Sequence, residues 1–345
     1  MINLEKEIRE QPKVLSGVGK VNEKTIINLV KELKESGVDN VYFVARGTSD
    51  HACIFAQYLF GITMGMNCTL ATPSIFTQYN SKINFHNTLV VGVSQSGRAE
   101  DVCAVLKSAN DQGMITVAIT NYEDSLLAKN AKYHLFCAAG EEVSIAATKT
   151  FTSQMYLLSM LCAYWSGNEA LKNELNNISK HMENALTYIP ASANEIAKEI
   201  KDTESGVILG RGLAYPIALE GALKILETNN KKMRGYPISD FYHGPVAQLH
   251  KDDLAMVIAQ SGPMYNDAIK MIDKLNSVGA KVVVITDNKE LANKEKSIYI
   301  ENTGFEFSTM FLVALAVQFI ALQLVLERGI NPDKSNVIAK ITVTK

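Results

Sequence analysis

A chain of 345 residues, 47% hydrophobic and 20% charged, has ordinary globular composition and a length that suits about two domains of ~150 residues each. Its 34 basic and 36 acidic residues leave a net charge of −2, which argues against the basic field that nucleic-acid binding requires. Five cysteines, an odd number with no C-x-x-C spacing, and six histidines without a Cys/His cluster argue against a disulfide framework or a metal site, and fit reduced thiols in a cytoplasmic protein that needs no cofactor.

In chain order, Met1-Ile2-Asn3-Leu4-Glu5-Lys6-Glu7 is a charged amphipathic start to an N-terminal helix, not a signal peptide. Residues 40–45, 89–93 and 115–119 are short apolar runs of the kind that form buried parallel strands, separated by helical stretches at 50–60 and 99–112. A polar helical linker follows over 168–200. Strands are then expected at 206–209, 255–259 and 281–285, with helices at 218–228 and 264–278. The apolar stretch 310–326 contains Gln318 and Gln323 and ends in Glu327-Arg328. That makes it a buried helix rather than a bilayer span, and no membrane association is expected.

The two series of strands repeat one another. Phe43-Val44-Ala45-Arg46-Gly47 matches Ile208-Leu209-Gly210-Arg211-Gly212, and Val93-Ser94-Gln95-Ser96-Gly97 matches Ile258-Ala259-Gln260-Ser261-Gly262, both at an offset of 165. Gly113 and Ile119-Thr120 match Gly279 and Ile285-Thr286 at 166. Three matches in one order indicate a duplication. The fold class is therefore α/β, with two tandem doubly wound parallel-sheet subdomains. The first occupies 1–167 with the N-terminal helix, the linker 168–200, and the second 201–345 with a C-terminal tail. One active site is expected where the copies meet.

Doubly wound sheets bind ligands at the carboxyl ends of their strands. In the first copy those ends carry Gly47-Thr48-Ser49 and Ser94-Gln95-Ser96-Gly97, with Ser144 and Thr148-Lys149 in a third loop. Glycine lets the backbone approach an anion, and hydroxyls and free helix N–H groups donate to phosphate oxygens. One such loop is better explained as N-capping; two in register, with the third loop, favour phosphate. The second copy has lost most of these hydroxyls (Gly212-Leu213-Ala214), which leaves it for another task. There Glu220, Lys224 and Glu227 fall on one helix face at i, i+4, i+7, eight residues after Gly212 and near the strand ends. His243-Gly244-Pro245 reads as a turn that fixes an imidazole. A solvated ion pair and a loop histidine explain the same residues, and on periodicity alone explain them better; the position near the strand ends balances the two.

Together these segments resemble the sugar isomerase (SIS) family, and within it the isomerase part of glucosamine-6-phosphate synthase and its free-standing relatives. The likeness runs along nearly the whole chain. It rests on Gly47-Thr48-Ser49, Ser94-Gln95-Ser96-Gly97, Ile145-Ala146-Ala147-Thr148-Lys149-Thr150-Phe151-Thr152, Ala218-Leu219-Glu220-Gly221-Ala222-Leu223-Lys224, Glu227, His243-Gly244-Pro245 and Ala339-Lys340. The resemblance implies a pocket for a 6-phosphorylated sugar or amino sugar lined by Gly47, Thr48, Ser49, Ser94, Gln95, Ser96, Ala147 and Thr148. It implies that Glu227 shuttles a proton between C1 and C2 with Lys224 and Glu220 beside it, and that Lys340 closes over the sugar. It further implies a homodimer in which His243 comes from the neighbouring subunit and assists ring opening. Such chemistry needs a carboxylate with tuned basicity and nearby donors.

The sequence also departs from that pattern. The chain starts directly at the isomerase part and its first cysteine is Cys53, so ammonia release from glutamine by an N-terminal cysteine is not expected. Ala99 stands where the synthase has a phosphate-contacting threonine, and Leu226 replaces a lysine. Arg234 replaces a frequent glutamate and adds a positive charge near the expected pocket mouth; it makes a surface ion pair or reads a carboxylate on a larger amino-acid–sugar adduct. The expected activity is amine removal from a 6-phosphorylated amino sugar, as a glucosamine-6-phosphate deaminase or a fructosamine-6-phosphate deglycase. A plain aldose–ketose isomerase and a non-catalytic sugar-phosphate sensor are the alternatives.

Overall fold

The computed structural model describes residues 2–334 and Lys340. The chain divides into two compact units. The amino-terminal unit is built on Lys13–Glu142 and Lys149–Asn177 and includes Lys340. The carboxy-terminal unit is built on residues 2–12, Val143–Thr148 and residues 178–334.

Helix α1 (Asn3–Glu35) leads into β1 (Asn40–Val44), α2 (Thr48–Met64), β2 (Asn67–Leu70), α3 (Ser74–Thr77), β3 (Thr88–Val93), α4 (Glu100–Asn110), β4 (Ile115–Thr120), α5 (Leu126–Asn130), β5 (Tyr133–Phe136), α6 (Lys149–Ser166) and α7 (Glu169–Ala185). The five strands pair in parallel in the order β2-β1-β3-β4-β5. Every residue of β3 and β4 is buried, as a central strand covered on both faces demands. Tyr42, Val44 and Val90 face a cluster with Val102, Val105 and Leu106 of α4. Phe43 points the other way, onto Phe60 of α2, which in turn packs edge-on against Trp165 of α6. Burying such a side chain contributes about 1.5–3 kcal/mol.

The carboxy-terminal unit repeats the plan with α8 (Ile189–Ile200), β6 (Ser205–Gly210), α9 (Ala214–Asn229), β7 (Lys232–Pro237), α10 (Ile238–Tyr242), β8 (Leu254–Ala259), α11 (Tyr265–Ser277), β9 (Lys281–Thr286), α12 (Lys289–Lys294), β10 (Ser297–Tyr299) and α13 (Glu306–Glu327). Its parallel order is β7-β6-β8-β9-β10, which is the first sheet's order transposed strand for strand. The doubly wound fold class and the duplication read from sequence are thus present in the topology. Helix α13 is long and apolar enough to cross a membrane, yet 89% of its apolar window is buried within the protein, as expected for 310–326.

Six strands lie where the apolar runs predict them. The edge strands β2, β5, β7 and β10 were not predicted; all are half-exposed, β2, β5 and β10 are short, and β7 carries Gly235 and Pro237, residues that weaken a strand signal. Gly235 is needed where it stands, because a Cβ there would lie 2.6 Å from the Leu219 Cα of α9. All five cysteines are buried free thiols. Burial pushes Cys68 and Cys162 up to about 12 and Cys103 to about 11, so they are poor nucleophiles.

Candidate functional site

In a sheet ordered 2-1-3-4-5 the crevice opens where the strand order reverses, between the first and third strands. In the amino-terminal unit this is the carboxyl end of β1 and β3, which pair with Val44 opposite Gly92. Gly47 and Thr48 open α2 there, and Ser94, Gln95 and Ser96 leave β3. Gly47 caps α2 without a side-chain bond, in a conformation (φ 54°, ψ −130°) suited to glycine. Ser49 is buried and its Oγ accepts from Gln154 Nε2 of α6 at 3.1 Å. Ser94 Oγ accepts from the Gly97 N–H at 3.1 Å and Ser96 Oγ from the Arg98 N–H at 3.3 Å. The Ser94 and Ser96 hydroxyl oxygens are thus fixed by the backbone while their own hydrogens can donate to a ligand. Gly97 has φ 62°, and a Cβ on it would lie 2.3 Å from Ser125 Oγ. Ala99 caps α4 with no side-chain bond.

The lips of this crevice are joined by a pair that the sequence reading did not single out. Arg46 Nε donates to Asp101 Oδ2 at 2.7 Å, reaching from the end of β1 to the first turn of α4. The carboxy-terminal unit has the same strap, Arg211 to Asp267. The offsets are 165 and 166, so a signal was present: both arginines lie inside the matched repeats. Burial pushes the Asp50 carboxyl above its ordinary value, against the pull of His51 and Arg46.

In the carboxy-terminal unit Lys224 stands between two carboxylates on α9. Its Nζ is 2.6 Å from Glu227 Oε2 and 3.3 Å from Glu220 Oε1. Lys224 and Glu220 are 2% and 0% exposed at the side chain, whereas Glu227 is 19% exposed. Burial alone would depress the ammonium, but the charges of Glu220 and Glu227 and their hydrogen bonds hold it above its ordinary value. This is no solvated surface pair. Gly221 lets the helix close on α13, since a Cβ there would stand 3.0 Å from Val317 and 3.1 Å from Ile208.

Glu227 is not near the strand ends, where sequence spacing put the trio. Helix α9 starts at the carboxyl end of β6 and runs back beside the sheet; Glu227 lies in its last turn, about 20 Å along the axis at 1.5 Å per residue. His243 caps α10 in an exposed turn, and its imidazole makes no hydrogen bond or ion pair among the described residues. Arg234 is on edge strand β7, opposite Val207. It lines a cleft of about 220 Å³ with Ser205, Lys232, Gln248 and Asp253, at the amino-terminal side of the strands. Ala147 and Thr148 group with the carboxy-terminal unit; Ala147 is half-buried and Thr148 buried, just before α6. Lys340 Nζ binds Glu142 Oε2 at 2.9 Å, and Glu142 also accepts from the N–H and hydroxyl of Thr150. Ala339 lies outside the described residues.

Two crevices at duplicated switch points, one rich in hydroxyls, define a tandem α/β protein of sugar-isomerase type. The SIS domain pattern matches residues 33–164 and 199–328, and the chain belongs to the SIS family. It is 31% identical over 341 residues to a glutamine–fructose-6-phosphate aminotransferase (isomerizing) of Methanothermobacter thermautotrophicus, covering 97% of this chain and 56% of that protein. The chain therefore spans little more than half the length of that relative. The C-terminal domain of glucosamine-fructose-6-phosphate aminotransferase from Francisella tularensis has the same fold, with a TM-score of 0.84 at 24% identity, covering 97% of this chain and 98% of that one. So does glucosamine-6-phosphate deaminase from Thermotoga maritima, with a TM-score of 0.80 at 21% identity, covering 99% and 100%.

Proposed function

We propose that the protein is an enzyme acting on a 6-phosphorylated amino sugar by proton transfer between C1 and C2, with release of the amine. The observation that carries this reading is the α9 trio: a buried ammonium fixes a carboxylate, Glu227, that alone of the three reaches the surface. Such a group can take a proton from one carbon and return it to the next. The serines and Thr48 of the amino-terminal unit are assigned to the phosphate, with Ala147, Thr148 and Lys340 to the sugar. For a 2-amino aldose, Glu227 takes the C2 proton and delivers it to C1, and the resulting C2 imine adds water and loses ammonia. For a fructosamine adduct the proton moves from C1 to C2, and the C1 imine loses its amine in the same way. Names carried by relatives, an aminotransferase and a deaminase of 6-phosphorylated sugars, support this substrate class.

The functional unit is a homodimer whose partner subunit supplies the imidazole at position 243. This is supported by the placement of His243 away from Glu227 in its own chain.

The test is release of amine across a panel of 6-phosphorylated amino sugars and amino-acid–sugar adducts, for wild type and Glu227→Gln. Wild-type release with at least about a hundredfold loss in the variant is expected. Near wild-type turnover by Glu227→Gln overturns the assignment. Exchange of the C1 or C2 proton without amine loss marks a plain aldose–ketose isomerase.

A further inference from the structure

In the second copy a carboxylate stands at the glycines that correspond to those of the first copy's crevice. Gly212 and Gly262 occupy the positions of Gly47 and Gly97, 165 residues on. The carboxylate of Glu306, at the start of α13, lies against both: a Cβ on Gly262 would be 3.6 Å from Glu306 Oε2, and one on Gly212 4.0 Å from Oε1. A carboxylate thus stands beside the two glycines of the carboxy-terminal crevice, whose lips are joined by Arg211 and Asp267. In the amino-terminal crevice nothing lies within 4 Å of a Cβ placed on Gly47, and the same strap is kept as Arg46 and Asp101.

The two straps differ in one respect. Arg211 holds its aspartate through a terminal nitrogen, Nη1. Arg46 uses Nε, and its two terminal nitrogens make no hydrogen bond or ion pair among the described residues. Its side chain is 51% exposed while that of Asp101 is 1% exposed. Asp50 and Asp101 both oppose an anion at this point, and a carboxylate buried beside a phosphate costs affinity unless a cation balances it.

We infer that Arg46, pinned through Nε to Asp101, is an anion-reading residue of the amino-terminal crevice that presents its terminal guanidinium nitrogens to the phosphate of the substrate. It takes the place of the hydroxyl that Ala99 lacks. This inference rests on the phosphosugar reading above and adds a specificity residue to it.

Sorbitol 6-phosphate and sorbitol are suitable probes, because an open-chain alcohol cannot be turned over. Titration calorimetry on the full chain is expected to show wild type preferring the phosphorylated probe. Arg46→Gln should weaken sorbitol 6-phosphate by at least about tenfold without changing sorbitol. Arg46→Lys, which keeps the charge, should retain part of the preference, and serves if the glutamine variant does not fold. Asp101→Asn should bind the phosphorylated probe as well as wild type or better, and Arg211→Gln should leave the preference intact. An unchanged preference in folded Arg46→Gln or, failing that, no preference in folded Arg46→Lys overturns the inference, as does a loss in Asp101→Asn equal to that in Arg46→Gln. A wild type that does not distinguish the two probes overturns the phosphosugar reading itself.

Discussion

Glu227 and His243 lie on opposite faces of the same five-stranded sheet. Helix α9, which carries Glu227, packs Gly221 over Ile208 of β6. Helix α10, which ends at His243, packs Phe241 into the cluster of Val207 and Leu209, and neighbouring residues of a strand point to opposite faces. The chain returns from β7 to β8 in the reverse direction to the step from β6 to β7, and right-handed crossovers then place the two connections on opposite sides. The sheet stands between the two helices.

That separation makes mixing of defective variants a decisive experiment. Glu227→Gln and His243→Ala, each inactive alone, are dissociated together and reassociated. If the imidazole acts in trans, a mixed dimer carries both defects in one site and none in the other. Random pairing then returns about a quarter of wild-type activity. A mixture that stays inactive although heterodimers are shown to form refutes the shared site.

Removal of the central ammonium should be costly. Lys224→Met leaves Glu220 and Glu227 without the cation between them, and breaking a buried pair in this way costs about 3–5 kcal/mol. Denaturant unfolding should show that loss, and Glu220→Gln in the same chain should restore a large part of it. A single variant as stable as wild type would mean that the carboxylate is balanced from elsewhere.

The hydroxyls of Ser94 and Ser96 are set for donation by the backbone N–H groups they accept. Ser94→Ala with Ser96→Ala should weaken a phosphorylated ligand by about 1.5–3 kcal/mol for each bond lost to the charged group. An unphosphorylated analogue should be nearly unaffected. Equal weakening of both in a titration would show these serines to be structural.

Glu306 gives a pH dependence with a definite sign. Burial, and then the charge of Asp287, raise its carboxyl above the ordinary value of 4.5. The folded state therefore holds this proton more tightly than the unfolded state. The contribution to stability is complete below the unfolded value and is lost as pH rises through the raised one. Glu306→Gln should melt higher than wild type at neutral pH, and the difference should shrink towards about pH 4. A difference that grows on acidification contradicts the burial argument.

The sequence alone determined the central strands, the duplication and the loops that follow them. A strand buried on both faces must be a run of apolar residues, and a glycine with positive φ at a strand–helix junction, such as Gly97, restricts what can replace it, so both leave local signals. The pairing of Glu220, Lys224 and Glu227 was legible for the same reason, since i, i+4 and i, i+3 neighbours meet on any helix. Tertiary structure decided the rest. Only the path of α9 back along the sheet shows that Glu227 is far from the strand ends, and only the reversal of strand order puts His243 on the other face. Arg46 and Asp101 are 55 residues apart and meet because β1 and β3 are neighbours. Likewise Glu306 reaches Gly212 and Gly262 through the fold. Contacts of this kind depend on which elements become adjacent, a choice made by packing the whole sheet and not by any stretch of residues.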